Sequence, residues 1–326
     1  MRSVIGIDVS KAKIDVLWLK DVASLKAKSK VFSNDRKGHA QLLVWLSQQV
    51  NRPLHELHVV MEATGIYHEG LAHCLFDHQV NVSVINPAHA RDFAKGLGGV
   101  HKTDKADSLM LARYGAMVGP RLWQPEPQAI RELKALLTRV EALEADLQRE
   151  KNRLEKIEFT ATSSIVTASL HKMIDELEAE RQQMEKQIDD HIDRHPDLKN
   201  DLRLLRTIPG VGVVVSRVML SVIRSRAFHT ASECAAFLGV IPKLKESGIF
   251  RGRTTLSKKG PPQVRAKLYM AAIVASQYNP GIKAQRARLL LKGKNKMQAL
   301  GAAMRKLVHQ CFGVLKHQTE YCQQVI

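Results

Sequence analysis

Two runs of mainly β-branched residues in this chain each end at an acidic residue, and this pattern restricts the fold more than any other. Asp8 closes the run Val-Ile-Gly-Ile, and Glu62 closes the run Val-Val-Met. Asp104 and Asp107 lie three residues apart where a helix is expected to begin, so their side chains share one helical face. We predict a fold that gathers these four carboxylates around one or two hard divalent cations, Mg²⁺ or Mn²⁺.

Each of these acids also has an ordinary structural explanation. Asp8 alone is consistent with a strand-end cap, and Asp104 alone with a helix N-cap. Four clustered carboxylates without a cation would repel one another, so we expect their ionisation to be coupled to metal binding. The four together therefore favour a metal site for phosphoryl transfer, of the kind that a ribonuclease-H-like nuclease sheet supplies.

The first 125 residues alternate strand and helix signals. Three strands are expected in succession, which predicts an antiparallel meander, and β-α-β patterns follow it. We expect a mixed sheet flanked by helices, an α/β domain over residues 1–125. The expected strands are 3–10, 13–20, 28–34, 57–63 and 80–86, and the expected helices are 36–50, 67–78, one after Pro87 and one after Thr103.

Residues 126–195 have a different pattern. Apolar residues recur at spacings of three and four on both sides of a break at Thr160-Ala-Thr-Ser-Ser-Ile, which predicts two long antiparallel coiled-coil helices. This segment holds 16 acidic and 11 basic residues, a balance that argues against primary DNA contact. We expect it to mediate self-association into a dimer or tetramer.

The whole net charge of +18 comes from residues 196–326, which hold 23 Lys and Arg against 5 Asp and Glu, a balance of 23 − 5 = +18. The first 195 residues hold 50 − 23 = 27 basic and 32 − 5 = 27 acidic residues, so they are neutral. Such a one-sided field predicts a mainly helical domain that binds nucleic acid. Membrane partners are not expected, because no apolar run approaches the roughly 20 residues of a membrane span.

Two motifs of this basic region are candidates for phosphate contact. The turn Ile-Pro-Gly-Val-Gly that contains Gly210 and Gly212 lies between two helical runs, like a helix-hairpin-helix whose backbone N–H groups approach phosphate. An ordinary helix-helix turn is the alternative. Ser247 lies in a Gly-flanked basic loop over residues 243–259, where a hydroxyl could attack a phosphodiester. The candidate cations of this loop are Lys243, Lys245, Arg251, Arg253, Lys258 and Lys259.

The cysteines and the N-terminus exclude other classes. Cys74, Cys234, Cys311 and Cys322 are far apart, so neither a zinc site nor a disulfide framework is expected. The N-terminus lacks the succession of a secretory signal, and we expect a cytoplasmic, nucleoid-associated protein.

Eight motifs follow one another along nearly the whole chain. They are Gly6-Ile-Asp-Val-Ser-Lys11, Met61-Glu-Ala-Thr-Gly65, Val84-Ile-Asn-Pro87, Lys102-Thr-Asp-Lys-Ala-Asp107, Ile208-Pro-Gly-Val-Gly212, Phe237-Leu-Gly-Val-Ile-Pro242, Glu246-Ser-Gly248 and Leu256-Ser-Lys-Lys-Gly260. In this order they resemble the DEDD-type transposases of insertion sequences, a family that includes pilin-gene-inverting and bridge-RNA-guided recombinases. One departure is Pro261-Pro262, where relatives often carry a polar residue.

The resemblance implies a RuvC-like domain whose metal-binding tetrad is Asp8, Glu62, Asp104 and Asp107. Lys102 and Lys105, which flank Asp104 in the sequence, are further candidate nucleic-acid contacts. The resemblance also implies that Ser247 forms a covalent phosphoserine link to DNA, in a site composed across subunits. The resemblance further implies a noncoding bridge RNA that pairs with donor and target DNA, which would leave the protein to read shape and backbone.

Three other functions remain open at this point. A RuvC-like Holliday-junction or structure-specific nuclease would use metal-activated water and would not need Ser247. An actin-like or sugar-kinase ATPase shares the Gly-Ile-Asp pattern at Asp8, but a second phosphate loop is missing from the sequence. A non-catalytic nucleic-acid-binding protein would have no use for four clustered carboxylates.

Overall fold

The computed structural model describes residues 3–63, 65–96, 104–160, 163–243, 246–247, 250–251 and 255–322, with the backbone alone at 104–105, 246–247 and 250–251. The chain divides into two compact units, Met1–Pro125 and Glu126–Ile326. The boundary between the units coincides with the predicted end of the first domain. The further division at residue 195 stays a prediction.

A five-stranded mixed sheet forms the centre of the first unit. Its strands lie in the order β3-β2-β1-β4-β5. The first three pair antiparallel as a meander, whereas β4 lies parallel to both β1 and β5. The predicted mixed sheet is confirmed, and the strand bounds are β1 Ser3–Val9, β2 Lys13–Leu19, β3 Ala27–Ser33, β4 Leu57–Glu62 and β5 Asn81–Ile85.

Helices cover both faces of this sheet. Alternation in β1 places Ile5, Ile7 and Val9 in one buried cluster with residues of α1 and α2, and Val4 in a second cluster with residues of α4. The helix bounds are α1 Arg36–Val50, α2 Glu69–Asp77, α3 Pro87–Gly96 and α4 Asp104–Val118, and Leu54–Glu56 forms a 3₁₀ turn.

Two long helices open the second unit, α5 Gln128–Thr160 and α6 Ser164–Asp193. They pack antiparallel, because Lys151 Nζ lies 2.7 Å from Glu178 Oε1 and His191 Nε2 bonds the carbonyl of Ala129 at 2.8 Å. The N-terminal part of α5 and the C-terminal part of α6 pack into the hydrophobic core that the remaining helices of this unit form. Leu133 of α5 is one of the buried residues there. Two long helices joined by a short break are therefore as predicted.

The rest of the second unit is mainly helical, as predicted. Its helices are α7 Pro196–Arg206, α8 Val213–Arg224, α9 Ala231–Phe237, α10 Pro262–Tyr278, α11 Pro280–Leu291 and α12 Lys296–His317. The segment predicted as a loop at 243–259 instead contains two short ladders. In these, β6 Pro242–Lys243 pairs with β9 Thr255–Leu256, and β7 Glu246–Ser247 pairs with β8 Phe250–Arg251. Within the described part of the chain, none of the helices could cross a membrane.

Candidate carboxylate site and nucleic-acid contacts

Helix α4 lies antiparallel across β1 and β4, and two glycines show where it touches them. A Cβ added to Gly115 would lie 2.6 Å from Val60 and 2.8 Å from Val4. A Cβ added to Gly6 would overlap the carbonyl oxygen of Ser108. A Cβ at Gly6 would also lie 2.5 Å from the Ala112 nitrogen, so two residues forward along β1 correspond to about one to two turns back along the helix. The next step forward along β1 leads to the first turn of α4.

The predicted strand acids point toward that turn. Asp8 follows Gly6 by two residues and Glu62 follows Val60 by two, so both side chains lie on the sheet face that α4 covers. The parallel register pairs Ile7 with Met61, which sets Asp8 and Glu62 side by side at the ends of their strands. Both side chains are half-buried.

The first turn of α4 supplies the other two predicted acids. Asp107 is half-buried. The hydroxyl of the neighbouring Ser108 donates a hydrogen bond to the Asp15 carbonyl at 2.8 Å, which ties this part of α4 to β2. Asp104 is the first residue of the helix, and its side chain is outside the described part. The backbone therefore brings all four positions to one end of the sheet.

The donors fit a hard divalent cation, because carboxylate oxygens are the ligands that Mg²⁺ and Mn²⁺ prefer. The side chains that the structure describes do not by themselves form a closed ligand set of three or more His, Cys, Asp or Glu groups. The side chain of Asp104 would have to complete this ligand set. Asp8, Glu62 and Asp107 remain the described residues that would hold the ion with it.

The sequence interpretation missed a fifth acid on the same face. Asp15 on β2 is directly opposite Asp8 in the antiparallel register, and like charges in such pairs destabilise a sheet. Lys13 Nζ lies 3.0 Å from Asp15 Oδ2 and offsets this repulsion, with 46% of the Lys13 side chain and 16% of the Asp15 side chain exposed. The sequence does contain one sign of this pairing. The connection between β1 and β2 is only three residues long, and so short a connection fixes the register that sets Asp15 opposite Asp8.

A hydrogen-bond network holds the loops that follow the two strand acids. Asn34 Nδ2 donates to the carbonyls of Ser10 at 2.8 Å and Tyr67 at 3.0 Å. His39 Nε2 lies 2.9 Å from Asn34 Oδ1, and burial lowers the pKa of His39 below its usual value despite the nearby Asp35. The neutral imidazole therefore helps to fix the segments beyond Asp8 and Glu62.

Ser247 lies in the second unit, on the short hairpin β7–β8. Its backbone pairs with Phe250, and β6 and β9 form a second ladder between residues 242–243 and 255–256. The side chain of Ser247 lies outside the described part of the chain. The predicted contacts Lys102, Lys245 and Arg253 are also outside it, and the backbone alone is described for Lys105 and Arg251.

The other predicted contacts of the basic loop lie at its base. Lys243, Lys258 and Lys259 are exposed. Lys258 has a left-handed backbone at φ 55°, and its N–H donates to the Gly239 carbonyl at 3.1 Å. This fixed turn presents two adjacent lysines to solvent, an arrangement compatible with phosphate contact.

The predicted helix-hairpin-helix turn connects α7 and α8. Gly210 has φ 97°, and a Cβ there would lie 2.6 Å from the Cβ of Ala275. Packing against α10 therefore already requires this glycine, whatever its contact with phosphate. Gly212 precedes α8, where an added Cβ would meet nothing within 4 Å among the described residues. The open N-terminus of α8 is the part of this turn that an anion could approach.

Known proteins resemble this chain along nearly its full length. The model of a transposase family matches residues 5–157, and the model of the IS116/IS110/IS902 transposase family matches residues 202–287. The pilin gene-inverting proteins of Moraxella bovis and Moraxella lacunata are 31% and 32% identical to it, each over 99% of both chains.

Two solved structures of RuvC from Thermus thermophilus also resemble part of the chain. One is 16% identical, covers 37% of this chain and 99% of the other, and has a TM-score of 0.28. The second, a complex with a Holliday junction substrate, is 18% identical, covers 38% of this chain and 100% of the other, and has a TM-score of 0.25. These scores are too low to establish a shared fold. The full-length identity of 31% and the two matching family models show that the chain belongs to the IS116/IS110/IS902 family of transposases and is a DNA recombinase.

Proposed function

We propose that this recombinase cuts and rejoins DNA through a covalent link to Ser247, with Mg²⁺ held by Asp8, Glu62, Asp104 and Asp107 of a RuvC-like domain. The observation that carries the proposal is the register of β1, β4 and α4, which aligns the four acidic positions at one end of the sheet. A scaffold without metal chemistry gains nothing from such a cluster of like charges.

The covalent step would conserve the phosphodiester bond energy. The Ser247 Oγ–P bond forms as the bond from phosphorus to one deoxyribose oxygen breaks, and the hydroxyl proton ends on that leaving oxygen. Attack by the free hydroxyl of another strand reverses the step and releases Ser247. A bound divalent cation would neutralise the charge that develops on the phosphate oxygens in the transition state.

The helices α5 and α6 would serve self-association as a coiled coil, giving a dimer or tetramer. Such an assembly would allow the carboxylates of one subunit to act with Ser247 of another. The basic region would hold donor DNA, target DNA and a noncoding bridge RNA. Support for this division of work comes from the charge, since residues 247–319 contain no Asp or Glu.

Divalent-cation binding tests the carboxylate site without relying on catalysis. We expect Mn²⁺ or Mg²⁺ to raise the melting temperature of the wild-type protein and to support cleavage of element-end DNA. Asp8→Asn should fold normally but lose both effects. Asp175→Asn is the matched control, because Asp175 is an exposed aspartate on α6. Equal metal responses in the two variants would refute the site.

The bridge RNA is tested by sequencing the nucleic acid that copurifies with the protein. A discrete noncoding RNA encoded beside the gene is the expected result. Random cellular RNA would instead indicate a recombinase that reads DNA directly.

A further inference from the structure

The hairpin tip between α11 and α12, residues 291–297, is an exposed surface that belongs neither to the carboxylate site nor to the Ser247 hairpin. Every residue of the tip is exposed. Leu291 is 90% exposed and Met297 is 62% exposed. Single exposed apolar residues are common on protein surfaces, so these two indicate a binding surface only if the residues around them do so as well.

The tip itself carries three lysines and no acidic residue. Lys292, Lys294 and Lys296 alternate through the turn, and none of them has an ion-pair partner in the part of the chain that the structure describes. The tip also lies within the 247–319 stretch, which has no acidic residue at all. The N-terminus of α12 adds partial positive charge at the same place. A polyanion is the partner that this charge fits.

The tip is also built rigidly. The N–H of Lys294 donates to the Leu289 carbonyl at 3.0 Å, and Gly293 takes the left-handed conformation at φ 74° that closes the helix end. Asn295 then starts α12 with a capping box. Its side chain accepts from the Gln298 N–H at 2.8 Å, and the Gln298 side chain accepts from the Asn295 N–H at 3.1 Å. The apolar side chains are therefore held outward by a fixed turn.

We propose that this tip is a duplex-DNA wedge, in which Leu291 enters between base pairs while Lys292, Lys294 and Lys296 contact the flanking phosphates. Apolar wedges of Leu or Met between base steps, flanked by basic residues, are how proteins kink a duplex. Single-stranded RNA is the less suitable occupant, because its bases are usually held by aromatic or Arg planes, which the tip lacks. A kinked duplex suits a recombinase that cuts and rejoins DNA, and to that extent this inference rests on the proposed function.

The test uses the full-length protein and a duplex of about 30 base pairs labelled at both ends for energy transfer, long enough to report a bend. We expect the wild-type protein to shorten the end-to-end distance. Leu291→Ala should abolish most of this change and weaken duplex binding by about tenfold, as expected for lost burial of one leucine. Ile165→Ala is the matched control, because Ile165 is 81% exposed on the acidic helix α6.

The lysines are tested through the salt dependence of duplex binding. The triple Lys→Gln variant at 292, 294 and 296 should reduce the slope of log K against log salt by about 3 × 0.9, or roughly 2.7, whereas Leu291→Ala should leave it unchanged. Wild-type bending and affinity in Leu291→Ala would overturn the proposal. An affinity loss confined to single-stranded RNA would overturn it too and would assign the tip to RNA. Bending that depends on Leu291 in a protein that forms no covalent adduct would refute the proposed function and leave the wedge standing.

Discussion

Asp15 and Lys13 show at the scale of single residues how the fold reveals chemistry that the motifs do not. Neither residue belongs to a motif that identifies the family, yet Asp15 faces Asp8 across the β1–β2 ladder. Asp15 forms a salt bridge with Lys13, so the positive charge of the Lys13 ammonium lies beside the carboxylate site. The balance of charge at the site therefore includes two residues from β2.

Changing these two residues should shift metal affinity in opposite directions. Asp15→Asn removes a negative charge and should weaken Mn²⁺ binding, whereas Lys13→Gln removes a positive charge and should strengthen it. One unit charge several ångströms away in a high effective dielectric corresponds to about a fivefold change. Calorimetric titration of each variant with Mn²⁺ measures the effect. Changes of the same sign in both variants would contradict the role given to the pair.

His39 should make the first unit sensitive to acid. Its folded-state pKa is lowered by burial, so the unfolded chain takes up the proton first as the pH falls below about 6.5. The stability that neutral His39 contributes is thus present above that pH and is lost as the pH falls toward its folded pKa. Urea unfolding between pH 7 and 5 should show a shallower loss of stability in His39→Gln than in the wild type. Parallel curves would show that another group is responsible.

At the level of secondary-structure elements, Gly210 shows how the packing of one turn against a helix restricts the residue type. Ala at this position would combine a left-handed backbone with overlap against Ala275, and we expect Gly210→Ala to lower the free energy of unfolding by about 2 kcal/mol or more. Gly212→Ala, in the same turn at φ −85°, should cost under about 1 kcal/mol. Urea denaturation compares the two. Equal losses would mean that packing against α10 is not what requires Gly210.

The elements differ in how well the sequence predicts them. Strands β1 to β5 were predicted to within about a residue or two. Most of them are short apolar runs rich in β-branched residues, and this composition marks β1 and β4 although their burial does not alternate. Helix α2 begins at Glu69 rather than Tyr67, since Gly65 takes φ 54° and the next residues form a turn. Helix α11 was not predicted because it lacks a clear apolar stripe, although Asn279 and Pro280 are a start signal.

The candidate site was only partly predictable for a related reason. Asp8 and Glu62 end strands, so local pattern was enough to select them. Asp15 sits within a strand and gains its meaning only from the residue opposite, which a local pattern does not encode. The ladders β6–β9 and β7–β8 are two residues long, too short to leave any periodicity around Ser247.

At the scale of the whole molecule, the two halves of the proposed chemistry lie in different units. The carboxylates belong to residues 1–125, and Ser247 belongs to residues 126–326, the unit that carries the acid-free basic stretch. This separation is what a composite site requires, because each unit would bring one component to the DNA. It also makes the covalent link the feature that distinguishes this proposal from a metal-dependent nuclease.

The most direct test is mass spectrometry of the protein after reaction with element-end DNA and Mg²⁺, followed by denaturation and nuclease digestion. We expect a nucleotide attached to the peptide that contains Ser247, and we expect it to be absent from Ser247→Ala and from Asp8→Asn. Strand cleavage that persists in Ser247→Ala without any attached nucleotide would contradict it and would indicate a nuclease that uses metal-activated water.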